Sequence, residues 1–145
     1  SGKKLRNLVA TGETILMPGA HDPLFGRVLQ RMGFKAVIVG GWLTGAHLVT
    51  PEPLMTMTEQ VEVAGKVARA VDIPVGADAG AGYGDPIHVM RTVQEFERSG
   101  VASINIEDQV YPKRASYHRG LEHVVEFDVF MRRLEFALKA LKGQL

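Results

Sequence analysis

The sequence predicts an α/β fold built on a parallel sheet, and three observations carry that expectation. Short apolar runs stop abruptly in glycine-rich or acidic loops, segments with helical spacing and helix caps stand between them, and the runs are apolar throughout rather than alternating. Uninterrupted apolar strands belong to a parallel sheet covered on its faces, since an antiparallel sheet with one wet face alternates. Thr14 to Pro18 is the first such run, ending at Gly19-Ala20-His21-Asp22-Pro23. Next comes a helix with Leu24, Val28, Leu29 and Met32 on one face, Asp22 as N-cap, Pro23 at its first position and Gly33 past its end. Lys35 to Val39 is the second strand, closing on Gly40-Gly41. Thr58 is the expected N-cap of a helix carrying Val61, Val63, Ala64, Val67 and Ala68, which leads into the strand Ile73 to Asp78. Pro74 places itself near that strand's start, where a missing N–H is tolerated. Asp85-Pro86 opens a helix through Val89, Met90, Val93 and Phe96 that Gly100 closes, and Ser103 to Glu107 is the fourth strand. Asp128 to Leu141 is an amphipathic helix with Arg132, Arg133, Lys139 and Lys142 expected outside, and with Phe127, Phe130 and Phe136 expected to pack inward in preference to serving a partner.

Composition narrows the function classes. The chain has 145 residues, 46% hydrophobic and 23% charged, and 17 basic against 16 acidic side chains leave a net charge of +1. That balance fits one globular domain over residues 1–145, and it lacks both the high net charge of a disordered chain and the clustered basic surplus of a nucleic-acid binder. No apolar run is long enough for a membrane span, so neither membrane nor nucleic acid is expected as a partner, and a cytoplasmic address is the expectation. With no cysteine there is no disulfide, no thiolate metal site and no thiol nucleophile.

In a parallel α/β sheet, ligands sit beyond the carboxyl ends of the strands. The residues found there are His21 and Asp22 after the first run, Gly40-Gly41-Trp42 after the second, Asp78 with Gly80, Gly82, Tyr83 and Gly84 after the third, and Glu107-Asp108 after the fourth. Any one carboxylate at such a place can be an ordinary N-cap, and Asp85 before Pro86 reads as one. Asp78 and Glu107 at equivalent levels of neighbouring strands form the arrangement by which a hard divalent cation is held. Gly80, Gly82 and Gly84 make a poor dinucleotide fingerprint, with Asp85 at the sixth position. Of the five histidines, His118 and His123 lack the helical spacing of a zinc pair, and most are read as surface or loop residues. Ser116-Tyr117-His118 has no nucleophile-elbow context.

Taken together, Met17-Pro18-Gly19-Ala20-His21-Asp22, Gly33-Phe34-Lys35-Ala36, Gly40-Gly41-Trp42, Ala77-Asp78 with Gly82-Tyr83-Gly84, Ile106-Glu107-Asp108-Gln109 and Pro112-Lys113-Arg114 resemble the isocitrate lyase and phosphoenolpyruvate mutase superfamily, nearest its 2-methylisocitrate lyase and carboxyvinyl-carboxyphosphonate phosphorylmutase types. The resemblance implies a (β/α)8 barrel of the TIM type, Mg²⁺ with Mn²⁺ as the alternative, a small 2-oxo or 2-hydroxy acid as ligand, a homo-oligomer, and an enolate stabilised by the metal. Because the chain ends after about four βα units, the expected structure is the N-terminal half of such a barrel. Carried over by residue, the resemblance makes Asp78 and Glu107 metal-linked, Glu52 a replacement for a further aspartate, Gly40, Gly41, Trp42 and Asp78 substrate-binding, and Lys113 and Glu107 catalytic, with Lys113 on the loop that closes the site.

Two departures bear on the chemistry. The family's Asp-x-Asp is Asp78-Ala79-Gly80, which removes one carboxylate, and the lyases' proton-donating cysteine is replaced by Ala115. A methyl group transfers no proton, so the expected chemistry is C–C or P–C bond chemistry independent of cysteine, with Tyr83, Lys113, Tyr117 and His118 as candidate donors. The competing expectation is a half barrel without turnover, a fragment or scaffold that needs a second half to form its site.

Overall fold

The computed structural model describes residues 1–113, 124–143 and 145. Along the chain stand α1 (Gly2–Val9), α2 (Pro23–Arg31), β1 (Val37–Val39), α3 (Gly41–Leu48), a 3-10 turn (Glu52–Leu54), α4 (Met57–Ala70), β2 (Val75–Asp78), α5 (Pro86–Ser99), β3 (Ser103–Asn105) and α6 (Phe127–Ala140). The strands pair in parallel in the order β1-β2-β3, with Val37, Ile38 and Val39 opposite Val75, Gly76 and Ala77, and with Gly76, Ala77 and Asp78 opposite Ser103, Ile104 and Asn105.

Strand side chains alternate between faces, and the register sorts them. Val37, Val39, Val75 and Ala77 are buried in the main core with Leu29 of α2, Val63 and Val67 of α4, and Phe96 of α5. Ile38, Gly76 and Ser103 share the other face, where the Met17 side chain reaches across Gly76. Asp78 continues that second face, two residues beyond Gly76, so strand periodicity delivers its carboxylate past the end of the sheet. α4 packs between α2 and α5, and α6 packs on α5. Among the described residues no helix is long and apolar enough to cross a membrane.

The caps of α2 and α5 stand where local chemistry puts them. Asp22 accepts a hydrogen bond from the Phe25 N–H at 2.7 Å, Asp85 accepts from Ile87 and His88, and Gly100 ends α5 in the left-handed region at φ 89°. The α4 cap differs from the expected Thr58: it is Thr56, whose hydroxyl accepts the Glu59 N–H at 3.3 Å while the Glu59 carboxylate accepts the Thr56 N–H at 2.7 Å. Three residues after Thr58 stands Val61, which cannot return a hydrogen bond, so the reciprocal box forms two residues earlier. Thr56→Ala is expected to cost about 1 kcal/mol in a denaturant titration.

Three further expectations need correction. Thr14 to Pro18 does not form a strand; the Ile38 N–H donates to Pro18 O and the Ala20 N–H to Ile38 O, leaving a single parallel bridge at Gly19. Pro18 has no N–H to extend that ladder. Arg133 is not outside: it lies on the same stripe of α6 as Ala137 and Ala140, is buried, and donates from Nη1 to Gln109 O at 2.7 Å. The small alanines leave room for its stem, and periodicity rather than residue type decides its side. Phe127, expected inside, is exposed at the helix start. Two helices had no sequence signal. α1 is anchored by Ser1 Oγ to the carbonyls of Gly100 and Val101 and by Lys4 Nζ to the carbonyl of Asp72, so it lies at the strand ends opposite Asp78. α3 carries Gly41, Thr44 and Gly45, all poor helix formers, and its position is set by tertiary contacts.

Candidate active site

Beyond the carboxyl ends of the strands, Glu52, Asp78, Glu107 and Lys113 come together. Lys113 Nζ lies 2.6 Å from Glu52 Oε1, and 3.2 and 3.0 Å from the two Glu107 carboxylate oxygens. One ammonium thus bridges two acids brought from distant parts of the chain. Asp78 is held by backbone instead: Oδ1 accepts the Gly80 N–H at 2.7 Å and Oδ2 the Gly41 N–H at 3.1 Å. The Glu107 N–H donates to Gly80 O at 2.8 Å, fixing the third acid to the loop that orients the second. On the β1 side, buried Gln60 donates Nε2 to Val39 O at 3.1 Å, and Thr44 Oγ1 donates to Gly40 O at 2.9 Å, so the Gly40-Gly41 turn is pinned from both directions.

Two glycines are required by this geometry. A Cβ on Gly41 would collide with the Glu52 carboxylate and lie 3.0 Å from Asp78 Oδ2, and Gly80 has φ 50°, in the region where L side chains are strained. The Gly41 and Gly80 amides are thus both engaged by Asp78. The N–H groups of Trp42 and Leu43, in the first turn of α3, have no intrahelical acceptor. The Trp42 side chain itself is exposed.

Tyr83 lines the same small cavity as Gly41, Glu52, Asp78 and Lys113, with its backbone at φ 60°. Burial, reinforced by the negative charges of Asp78 and Glu52, pushes its phenol well above the ordinary tyrosine range. Its hydroxyl stays protonated at neutral pH, a donor rather than a base. For Lys113, burial works against the charged form, but hydrogen bonds to Glu52 and Glu107 and the charge of Asp78 outweigh it and hold the ammonium above the ordinary lysine value.

The family behind this arrangement is settled by comparison. Residues 5–144 match the family model for phosphoenolpyruvate phosphomutase. The chain belongs to the phosphoenolpyruvate phosphomutase family. It is 44% identical over 123 residues to the 2,3-dimethylmalate lyase of Eubacterium barkeri, covering 83% of this chain and 43% of that protein. It is 42% identical over 137 residues to a Corynebacterium glutamicum protein named "Probable 2-methylisocitrate lyase 2", covering 94% of this chain and 44% of the relative. The phosphoenolpyruvate phosphomutase crystal structure from Streptomyces platensis subsp. rosaceus superposes with a TM-score of 0.94 at 35% identity, over 99% of this chain and 50% of that one. The chain thus spans about half the length of the relatives it matches, and its fold is the N-terminal half of the family's TIM-type barrel.

Within the phosphoenolpyruvate phosphomutase fold, the cluster suits a hard divalent cation by donor type, although its glutamates face Lys113 rather than a common point. It offers three carboxylates, and the Lys113 ammonium already places one positive charge among them. Glu107 Oε2 is buried with no hydrogen-bond partner of good geometry besides that ion pair. Glu52 and Glu107 pair with Lys113 and Asp78 with backbone amides, so the three acids do not converge: among the described residues, the ligand atoms within 4.8 Å of one another belong to His21, Asp22 and His47. Sequence reasoning noted His21 and Asp22 but not His47, which sits on the unread helix α3. Ala115, Tyr117, His118 and His123 lie outside the described residues.

Proposed function

We propose that this chain supplies the cation-binding wall of an active site for a small 2-oxo or 2-hydroxy carboxylic acid, acting on a C–C or P–C bond without a cysteine. The observation that carries it is Lys113 bridging Glu52 and Glu107 beside a backbone-oriented Asp78. The names of the relatives, a 2,3-dimethylmalate lyase and a 2-methylisocitrate lyase, indicate cleavage of small hydroxy acids. Asp78, Glu107 and Glu52 would hold Mg²⁺ or Mn²⁺, which would supply fixed positive charge to stabilise negative charge as it develops on the ligand.

The chain's own residues then have separable tasks. Asp78 has both oxygens fixed by the Gly41 and Gly80 amides, which holds its carboxylate in place for a ligand. Gly40, Gly41 and Trp42 start α3 so that first-turn N–H groups face a ligand carboxylate at the positive end of the helix. Lys113, still charged at neutral pH, exchanges Glu52 and Glu107 for the ligand's negative charge as the site fills. Tyr83 provides a protonated hydroxyl in the place of a thiol donor.

A second reading is favoured by the half-length span: the chain keeps the fold but turns over nothing until a second half completes the barrel. Thermal melts of the purified chain with Mg²⁺, with oxaloacetate, and with both test the first reading. The expected result is a rise with both that exceeds the sum of the separate rises and vanishes in Asp78→Ala. Identical melting in all conditions would contradict it, and binding without loss of oxaloacetate would support the second.

A further inference from the structure

We propose that His21, Asp22 and His47 form a second metal site, for a borderline transition cation such as Zn²⁺, separate from the oxygen-donor cluster around Asp78. One ligand atom from each of the three lies within 4.8 Å of the others. His21 Nε2 is 3.4 Å from Asp22 Oδ2, and the His21 and His47 ring centroids are 5.7 Å apart. The three line one cavity of about 110 Å³.

Local structure prepares each ligand. Asp22 divides its oxygens: Oδ1 caps α2 through the Phe25 N–H at 2.7 Å, which fixes the carboxylate and leaves Oδ2 toward His21. His21 Nδ1 is buried without a hydrogen-bond partner, so the protein alone leaves this imidazole under-satisfied. Glu59 and Glu62 line the same cavity but are committed elsewhere, Glu59 to the Thr56 capping box and Glu62 to Lys66 at 2.7 Å. Lys66 lines the cavity too and offsets the charge of Glu62, so Glu59 is the acid that adds negative field there.

Two imidazoles and one carboxylate, with positions left for water, are the donors that zinc and its neighbours take. Mg²⁺ prefers an all-oxygen set, so nitrogen content separates this site from the Asp78 cluster. Placement gives it a consequence. His47 lies in the last turn of α3, whose first residue, Gly41, donates to Asp78. An ion joining His47 to His21 and Asp22 would fasten the far end of the helix that begins in the candidate active site.

The test is a calorimetric titration of the whole chain with Zn²⁺ in excess Mg²⁺. One saturable event is expected, unchanged in Asp78→Ala. Loss of even an outer-shell partner weakens metal binding about 10–100-fold, so His47→Ala, which removes a ligand, is expected to weaken it at least about 100-fold. His47 is exposed, and the metal-free melting temperature of that variant should match the parent. His21→Gln gives an independent second variant. Absence of saturable Zn²⁺ binding, or equal binding by the parent and both histidine variants, overturns the proposal.

Discussion

Replacing Lys113 by methionine is expected to destabilise the metal-free protein by about 1–3 kcal/mol, and Mg²⁺ is expected to restore most of the loss. The ammonium bridges Glu52 and Glu107, so its removal leaves two carboxylates facing each other with no counter-charge. Breaking a fully buried ion pair costs about 3–5 kcal/mol. Here the Lys113 and Glu107 side chains keep 16% and 31% of their exposure, and water screens part of the penalty. The rescue distinguishes a cation site from a plain salt bridge, because a divalent ion can take the place the ammonium leaves. Denaturant titrations with and without Mg²⁺ check both parts. The pH dependence of the parent has a definite sign: Lys113 holds its proton more tightly folded than unfolded, so its contribution is complete at neutral pH and is lost as pH rises past the ordinary lysine value of about 10.4.

Gly41→Ala is expected to damage the site from the backbone side. The new methyl would meet the Glu52 carboxylate and lie 3.0 Å from Asp78 Oδ2, so the start of α3 or both acids must move. Overpacking of this kind costs about 1–3 kcal/mol. A displacement near 1 Å in a catalytic array can cost about 10²-fold in rate. The stabilisation by Mg²⁺ with oxaloacetate should fall accordingly. Gly40→Ala is the matched control: nothing lies within 4 Å of its Cβ position, and its φ of −80° suits any residue. Equal behaviour of the two variants in melting with Mg²⁺ and oxaloacetate would show that the Gly41 contact is not what sets the acids.

What the sequence made legible follows the range of the interactions concerned. The ends of α2 and α5 are written in adjacent residues, Asp22-Pro23 and Asp85-Pro86 with Gly100, and stand where expected. Asp78 was legible as the last residue of a parallel strand, whereas β3 stops at Asn105, level with Asp78, and leaves Glu107 two residues beyond the strand rather than at the equivalent level expected. The Lys113 to Glu52 contact joins residues 61 apart, and no spacing rule encodes it. Family resemblance singled out both residues without showing that they pair. α3 escaped notice because its glycines and threonine argue against a helix, and the neighbourhood of His47 and His21 went unseen with it. Arg133 was misplaced by its charge, although its position in the periodic stripe with Ala137 and Ala140 was there to be read.

Whether Glu52, Asp78 and Glu107 act as one cation site, with Lys113 as the competing cation, is decided by a calorimetric Mg²⁺ titration of the parent, Asp78→Asn and Lys113→Met. One saturable event is expected in the parent, with its loss in Asp78→Asn and tighter binding in Lys113→Met. Equal Mg²⁺ binding by all three proteins, or none by any of them, would rule that site out.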